Sequence, residues 1–242
     1  MQPMRRLRVV SLCAMLSIGV AACSSGPSLG ALSGKSAASA LQLALRNARA
    51  AATVHFSIQT KGAVQQDSVG VAGPTAGETV ITNSGGVDRI LVTGDSGYIE
   101  SDAPGLVATM GLTAASAQAN ANRWIAVSSA DSTFPQLAES VSFASTLDEF
   151  TPGGTLSMAV TTIDGHTVGM IEGTGTAAEA VQSYDVEMAV TTTTPVLPIA
   201  GAVRISANGK TVTQTAVFGQ WGAPVTVKPP TGAVQLSEIR PK

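Results

Sequence analysis

Few side chains in this sequence carry distinctive chemistry, and the one set in the most specific pattern is Cys23. It follows Val20-Ala21-Ala22, a run of small residues. Ahead of these lie Arg5, Arg6 and Arg8, then a stretch from Val9 to Ala22 that is apolar apart from Ser11 and Ser17. A basic start, a short apolar run and small residues before a thiol read as a bacterial lipoprotein signal. The chemistry would be peptide cleavage before Cys23 and transfer of a diacylglyceryl group to its sulfur. The apolar run has 14 residues, short of the ~20 that a spanning helix needs. The alternative is a plain secretory signal cut near Ala22, with Cys23 a bystander. Arg5-Arg6 leaves general secretion and twin-arginine export both open.

The remaining reactive groups form no recognisable site. His55 alternates with Val54, Phe56 and Ile58 and so faces the polar side of its strand, and His166 follows the turn pair Asp164-Gly165. Neither belongs to a cluster with metal-ligand spacing, and there is no HExxH. No Gly-x-Ser-x-Gly elbow is present, although a serine–histidine–acid triad is a spatial arrangement that sequence order does not exclude. Gly173-Thr174-Gly175 lacks the third glycine and the strand–helix setting of a nucleotide loop. Asp148-Glu149 reads as a solvated helix end. The sequence therefore points to a non-enzymatic protein with no cofactor and no metal.

Charge and composition narrow the partners. The chain has 14 Lys+Arg and 16 Asp+Glu. Loss of residues 1–22 would remove three arginines and no acid, leaving 11 cations against 16 acids and a net charge of −5. That balance disfavours nucleic acid. Cys13 would leave with the signal, so no internal disulfide could form once Cys23 is acylated, and stability must come from the core. Charged residues make up 12% of the chain, against a usual ~25%. Either a Thr/Ser-rich sheet presents hydroxyls instead of charges, or extra apolar surface lines a cavity.

The elements that must position these residues follow from periodicity. Residues 1–22 are the signal and 23–35 the lipidated N-terminus with a Gly/Ser-rich linker. As flexible coil, the 11 residues Ser24–Gly34 span ~17–20 Å. Residues 36–242 form a single domain. Ser36 is a plausible N-cap for a helix to Ala52, with Leu41, Leu45, Ala48 and Ala52 on one face and Leu43 off it. From Val54 the period becomes two, and glycines punctuate strands near 63–72, 78–83, 87–93 and 97–101. Residues 102–122 read as a loop with a short helix near 113–121, and Arg123–Val127 as a short strand. Residues 132–150 read as helical, with Leu137, Val141 and Ala144 on one face. A second meander follows, with hairpin signals at Asp164-Gly165 and Asn208-Gly209 and a helical crossover over 176–183. The sum is an α+β fold: an antiparallel sheet on an N-terminal helix and a mid-chain helical insertion. Met158, Met170 and Met188 fall on or beside one sheet face with Val160, Val168, Val186 and Val190, where flexible thioethers suit an adaptable apolar site.

The order of features resembles a known family. The Val20–Cys23 motif, a Ser/Gly linker and an amphipathic helix precede Val54-His55-Phe56-Ser57-Ile58-Gln59-Thr60-Lys61-Gly62. A tyrosine-bearing segment Gly94–Ile99, then Arg123-Trp124-Ile125, come next. Phe218-Gly219-Gln220-Trp221-Gly222 leads into Val225-Thr226-Val227-Lys228-Pro229-Pro230. This pattern resembles the LppX/LprAFG lipoproteins of mycobacteria and relatives. The resemblance implies an antiparallel sheet curved into a half-barrel against helices, with an apolar cavity for acyl chains of envelope lipids or glycolipids. It implies a protein anchored to the exported face of the cell membrane that carries such lipids outward. No headgroup-binding motif transfers residue by residue. The alternating apolar set Val54, Phe56, Ile58, Met158, Val160, Val186, Met188 and Val190 is the candidate cavity lining. Two other functions remain open: a structural or protein-interaction lipoprotein with a filled core, and an exported hydrolase with His55 or His166 near a serine and an acid.

Overall fold

The computed structural model describes residues 28–174 and 183–240. A short 3-10 turn, Gly30–Leu32, precedes α1 (Ala37–Ala51). The first meander is β1 (Val54–Lys61), β2 (Gln66–Ala72), β3 (Ala76–Asn83), β4 (Gly86–Thr93) and β5 (Ser96–Glu100). Then come α2 (Ala103–Met110), α3 (Ala114–Asn120), β6 (Ile125–Ser128), α4 (Phe134–Ser140) and α5 (Phe143–Glu149). The second meander is β7 (Gly153–Ile163), β8 (His166–Thr174), β9 (Ser183–Thr191), β10 (Pro198–Ala207) and β11 (Lys210–Gly219). The chain closes with β12 (Val234–Gln235) and α6 (Leu236–Ile239).

All twelve strands form one open sheet in the order β12-β6-β5-β4-β3-β2-β1-β11-β10-β9-β8-β7. Every pairing is antiparallel except β12 with β6. The two meanders join through β1 and β11, where His55 opposes Gly219 and Lys61 opposes Thr213. Two-residue turns set the hairpins: Asp164 and Gly165 have φ of 48° and 80°, and Asn208 and Gly209 have 52° and 72°. Positive φ at both central positions is what a hairpin turn matched to strand twist demands.

Because side chains alternate, residues paired across the ladder share a face. The row Met158–Ile171–Met188–Gly201–Ala216–Ile58–Ser68–Ile81 runs across eight strands on the face that carries the helices. Ser36 caps α1 by accepting the Ser39 amide at 3.2 Å. The helix then buries Ala40, Leu41, Ala44, Leu45 and Ala48 on this face. Ala52 ends it in the left-handed region (φ 62°), its amide bonded to the Ala48 carbonyl at 3.1 Å. Leu43 is half-buried at the margin of the same core. A second core joins Ile90, Val92, Ile99 and Ile125 with Leu106 and Met110 of α2, Ala117 of α3 and Leu137 of α4.

Four expectations need correction. The 102–122 stretch holds two helices. Asp102 caps α2 by accepting the Gly105 amide at 2.8 Å, and Pro104 sits in the first turn. Asp-Ala-Pro-Gly is thus a helix start, where the missing proline amide costs nothing. The 132–150 stretch breaks at Val141, and Ser142 caps a new helix. This resets the phase, so Phe143 and Leu147 are buried and Ala144 is exposed. The linker expected to be flexible to Gly34 is already docked at Leu29–Leu32: the Ala31 amide donates to the Thr192 carbonyl at 2.7 Å and Leu32 is fully buried. Met170 and Val168 belong to the face opposite Met158 and Met188, since Met170 pairs with Ala159 and Ala189. The crossover expected at 176–183 lies almost wholly outside the described residues.

The opposite face carries an acidic pair. Glu172 and Glu187 are direct cross-strand partners. Burial raises the Glu187 carboxyl above its ordinary value, Glu172 and Asp185 add to the rise, and Arg204 opposes it. A group whose folded pKa is raised costs stability above that pKa, and the cost is relieved as pH falls through it. Glu187→Gln is therefore expected to stabilise the domain by about 0.5 kcal/mol at pH 7, solvent screening keeping the gain small. The advantage should shrink as pH falls towards the ordinary glutamate value. Urea titrations of both proteins at pH 7 and at acid pH check this; an advantage that grows on acidification would contradict it.

Candidate functional site

An open groove of about 690 Å³ lies between the two cores on the helical side of the sheet. That volume is within the ~300–1,000 Å³ of ordinary small-molecule sites. Its floor is Phe56, Ile58 and Thr60 of β1, Gln66 and Ser68 of β2, Thr79 and Ile81 of β3, and Gln214 of β11. These residues meet by register: Ile58 opposes Ser68, Ser68 opposes Ile81, and Thr60 lies between Gln66 and Gln214. One wall is Gln136, Glu139 and Ser140 of α4, with Ser145, Thr146, Asp148 and Glu149 of α5.

Phe56, Ile58 and Ile81 are the three apolar members of this lining. The groove is thus a polar trough with an apolar strip on its floor. Some hydroxyls are already committed: Thr146 donates to the Ser142 carbonyl at 2.9 Å and Ser140 to the Leu137 carbonyl at 2.7 Å. The lining holds three carboxylates, Glu139, Asp148 and Glu149, and no lysine, arginine or histidine. Glu149 lines the groove, and desolvation raises the pKa of its carboxyl, with the Gln214 amide partly offsetting the rise. Asp148 lies 3.7 Å from Arg49 with both side chains largely exposed, a pair that contributes little.

Of the eight residues expected to line a cavity, all share the helical face, but they separate into three groups. Phe56 and Ile58 line the groove. Val54, Val186, Met188 and Val190 are buried in the closed core with α1 and Phe150. Met158 and Val160 are half-buried on β7, a sheet edge. Cys23 lies outside the described residues. The polar floor and the α4–α5 wall escaped sequence reasoning. Their one signal was polar residues at core-phase positions: Thr60, Gln66, Ser68, Thr79 and Gln214.

Neither histidine lines the groove. His55 is on the opposite face of β1, since its neighbours Val54 and Phe56 point to the core, and His166 begins β8 at the hairpin tip. Among the described residues, no three His, Cys, Asp or Glu side chains gather as metal ligands, and no helix is long and apolar enough to cross a membrane.

Fold and groove together define an α+β domain built on one open, mostly antiparallel sheet, with a helical layer and a largely polar trough. No protein-family model matches the chain, and no curated protein sequence matches it.

Proposed function

We propose that the chain is a cell-envelope lipoprotein, anchored through Cys23 on the exported face of the cell membrane, that holds an amphipathic lipid or glycolipid in the groove and carries it outward. The observation that carries this reading is the groove itself. Its apolar strip, Phe56, Ile58 and Ile81, takes acyl chain at ~0.8 kcal/mol per buried methylene. Its hydroxyl, amide and carboxyl walls take the polar part. Holding and releasing a lipid needs no catalytic group. The sheet is read as a half-barrel curving around the helices, supported by two cores that lie on the same face with the trough between them. One observation favours the alternative, a lipoprotein with a structural or protein-binding role: Val186, Met188 and Val190 lie in a filled core.

The test is mass spectrometry of lipid extracted from the exported domain lacking Cys23, purified from a lipid-containing host. Stoichiometric acyl lipid is expected. Ile81→Trp, which places an indole on the half-buried floor, should raise the dissociation constant for lipid about tenfold, the equivalent of ~1.4 kcal/mol, and so lower the lipid retained, with an unchanged circular dichroism spectrum. Wild-type protein free of lipid would overturn the reading and favour the alternative.

A further inference from the structure

The docked segment ahead of α1 has a consequence for how the domain stands on a membrane. Gly30 has a φ of 48° and lies against the Thr192 carbonyl so closely that a Cβ would collide with that oxygen. The Ala31 amide donates to the same carbonyl at 2.7 Å. Leu32 is fully buried, its side chain against Gly169. Three successive residues are thus fixed to one end of the sheet, where β8 begins and β9 ends.

We propose that this clamp orients the domain, presenting the sheet end that bears the Asp164-Gly165 turn and the Thr192–Leu197 loop to the lipid surface. The proposal rests on the reading of Cys23 as the acylated residue. From Cys23 to Gly30, where the clamp begins, the chain has seven residue steps, a reach of at most ~25 Å. The sheet is longer: β10 has ten residues, or ~33 Å at strand rise. If the opposite end, with the Asn208-Gly209 turn, touched the bilayer, the clamp would stand ~33 Å above it, beyond the reach of the tether. Electrostatics pull the other way. In the outermost rows at the Asn208 end lie Lys61, Arg204 and Lys210 with one acid, Asp185, whereas the 163–167 and 192–197 segments carry one formal charge, Asp164. An anionic surface acting on a free domain would draw the lysine end down, so tether and charge give opposite outcomes.

The experiment uses the full, acylated chain on vesicles of phosphatidylcholine and phosphatidylglycerol containing a headgroup quencher. A fluorophore is placed on Thr193→Cys or Asn208→Cys, since processing removes Cys13 and acylation blocks Cys23. The Thr193 probe is expected to be quenched several-fold more than the Asn208 probe. Gly30→Val, which cannot keep the clamp, should erase the difference while the melting curve stays cooperative. Equal quenching, or stronger quenching at Asn208, on protein shown by intact mass to be acylated would overturn the orientation alone. Unacylated protein would overturn the anchoring reading and the orientation with it.

Discussion

Phe150→Ala is expected to destabilise the domain by about 3–5 kcal/mol, the range for deleting a buried aromatic ring. Phe150 is fully buried and meets Phe218 edge-to-face, with centroids 5.8 Å apart and planes at 75°. Its side chain lies directly on Gly201, where even a methyl group would approach the Phe150 Cβ to 2.8 Å and the ring atoms Cγ and Cδ1 to 2.9 Å. A strand glycine normally weakens a sheet; here the missing side chain is the socket for the ring. The substitution leaves a cavity between β10, β11 and the end of α5 that the two rigid layers cannot close. A loss of this size corresponds to a fall in Tm of roughly 6–20 °C for a domain of this length. Phe150 also follows Asp148 and Glu149 directly, so the groove wall should loosen with the core. Urea and thermal denaturation followed by circular dichroism check the value. A cost below about 1 kcal/mol, typical of a surface change, would show that the Phe150–Gly201 contact does not hold the layers together.

What the sequence made legible was the two runs of strands and the phase of β1, β7 and β9 within the sheet. Val54, Phe56 and Ile58 alternate with polar neighbours, and all eight apolar residues singled out do share one face. Alternation gives the face, not what covers it. Val186 and Met188 lie with α1 and Phe150 in a closed core, whereas Ile58, which directly opposes the buried Ala216, opens onto the groove. That difference depends on where α4 and α5 lie, a long-range fact that periodicity does not carry. Met170 shows the same limit: beside Val168 it reads as core, and only the pairing with Ala159 and Ala189 puts it on the other face. Helix α2 was missed for a local reason. Asp102 and Pro104 signal a loop or a helix start equally well, and burial of Leu106 and Met110 decided between them.

The groove is polar for a reason visible in the sheet. The two apolar cores flank it, one under α1 and the other under α2, α3 and α4. Along the floor between them the inward positions beside Phe56, Ile58 and Ile81 are polar: Thr60, Gln66, Ser68, Thr79 and Gln214. Apolar residues there would draw α4 and α5 down and close the trough. Hydroxyls and amides gain nothing from burial unless bonded, so they keep the two cores apart and leave the trough open.

On the proposed anchoring, Cys23→Ser is expected to have the largest effect of any single change, because that anchor depends on one sulfur. Serine keeps the size and the small-residue pattern of Val20-Ala21-Ala22 but loses the nucleophile, since a thiol reaches its reactive anion near pH 8.5 and a hydroxyl does not. A single acyl chain gives only marginal binding, with an association constant of ~10⁴ M⁻¹, and two chains give stable attachment. Removing the acceptor removes every chain, so membrane affinity of the exported domain should fall by several orders of magnitude. Two measurements on the full chain check this. Intact mass of the wild type should show residues 1–22 lost and acyl groups gained, and the variant should show no acyl mass. After removal of its signal by a protease, the variant domain should remain in solution with vesicles that retain the wild type. Equal retention of the two would place the membrane attachment in the folded domain instead of in Cys23, and would remove the tether on which the orientation of the Gly30–Leu32 clamp depends.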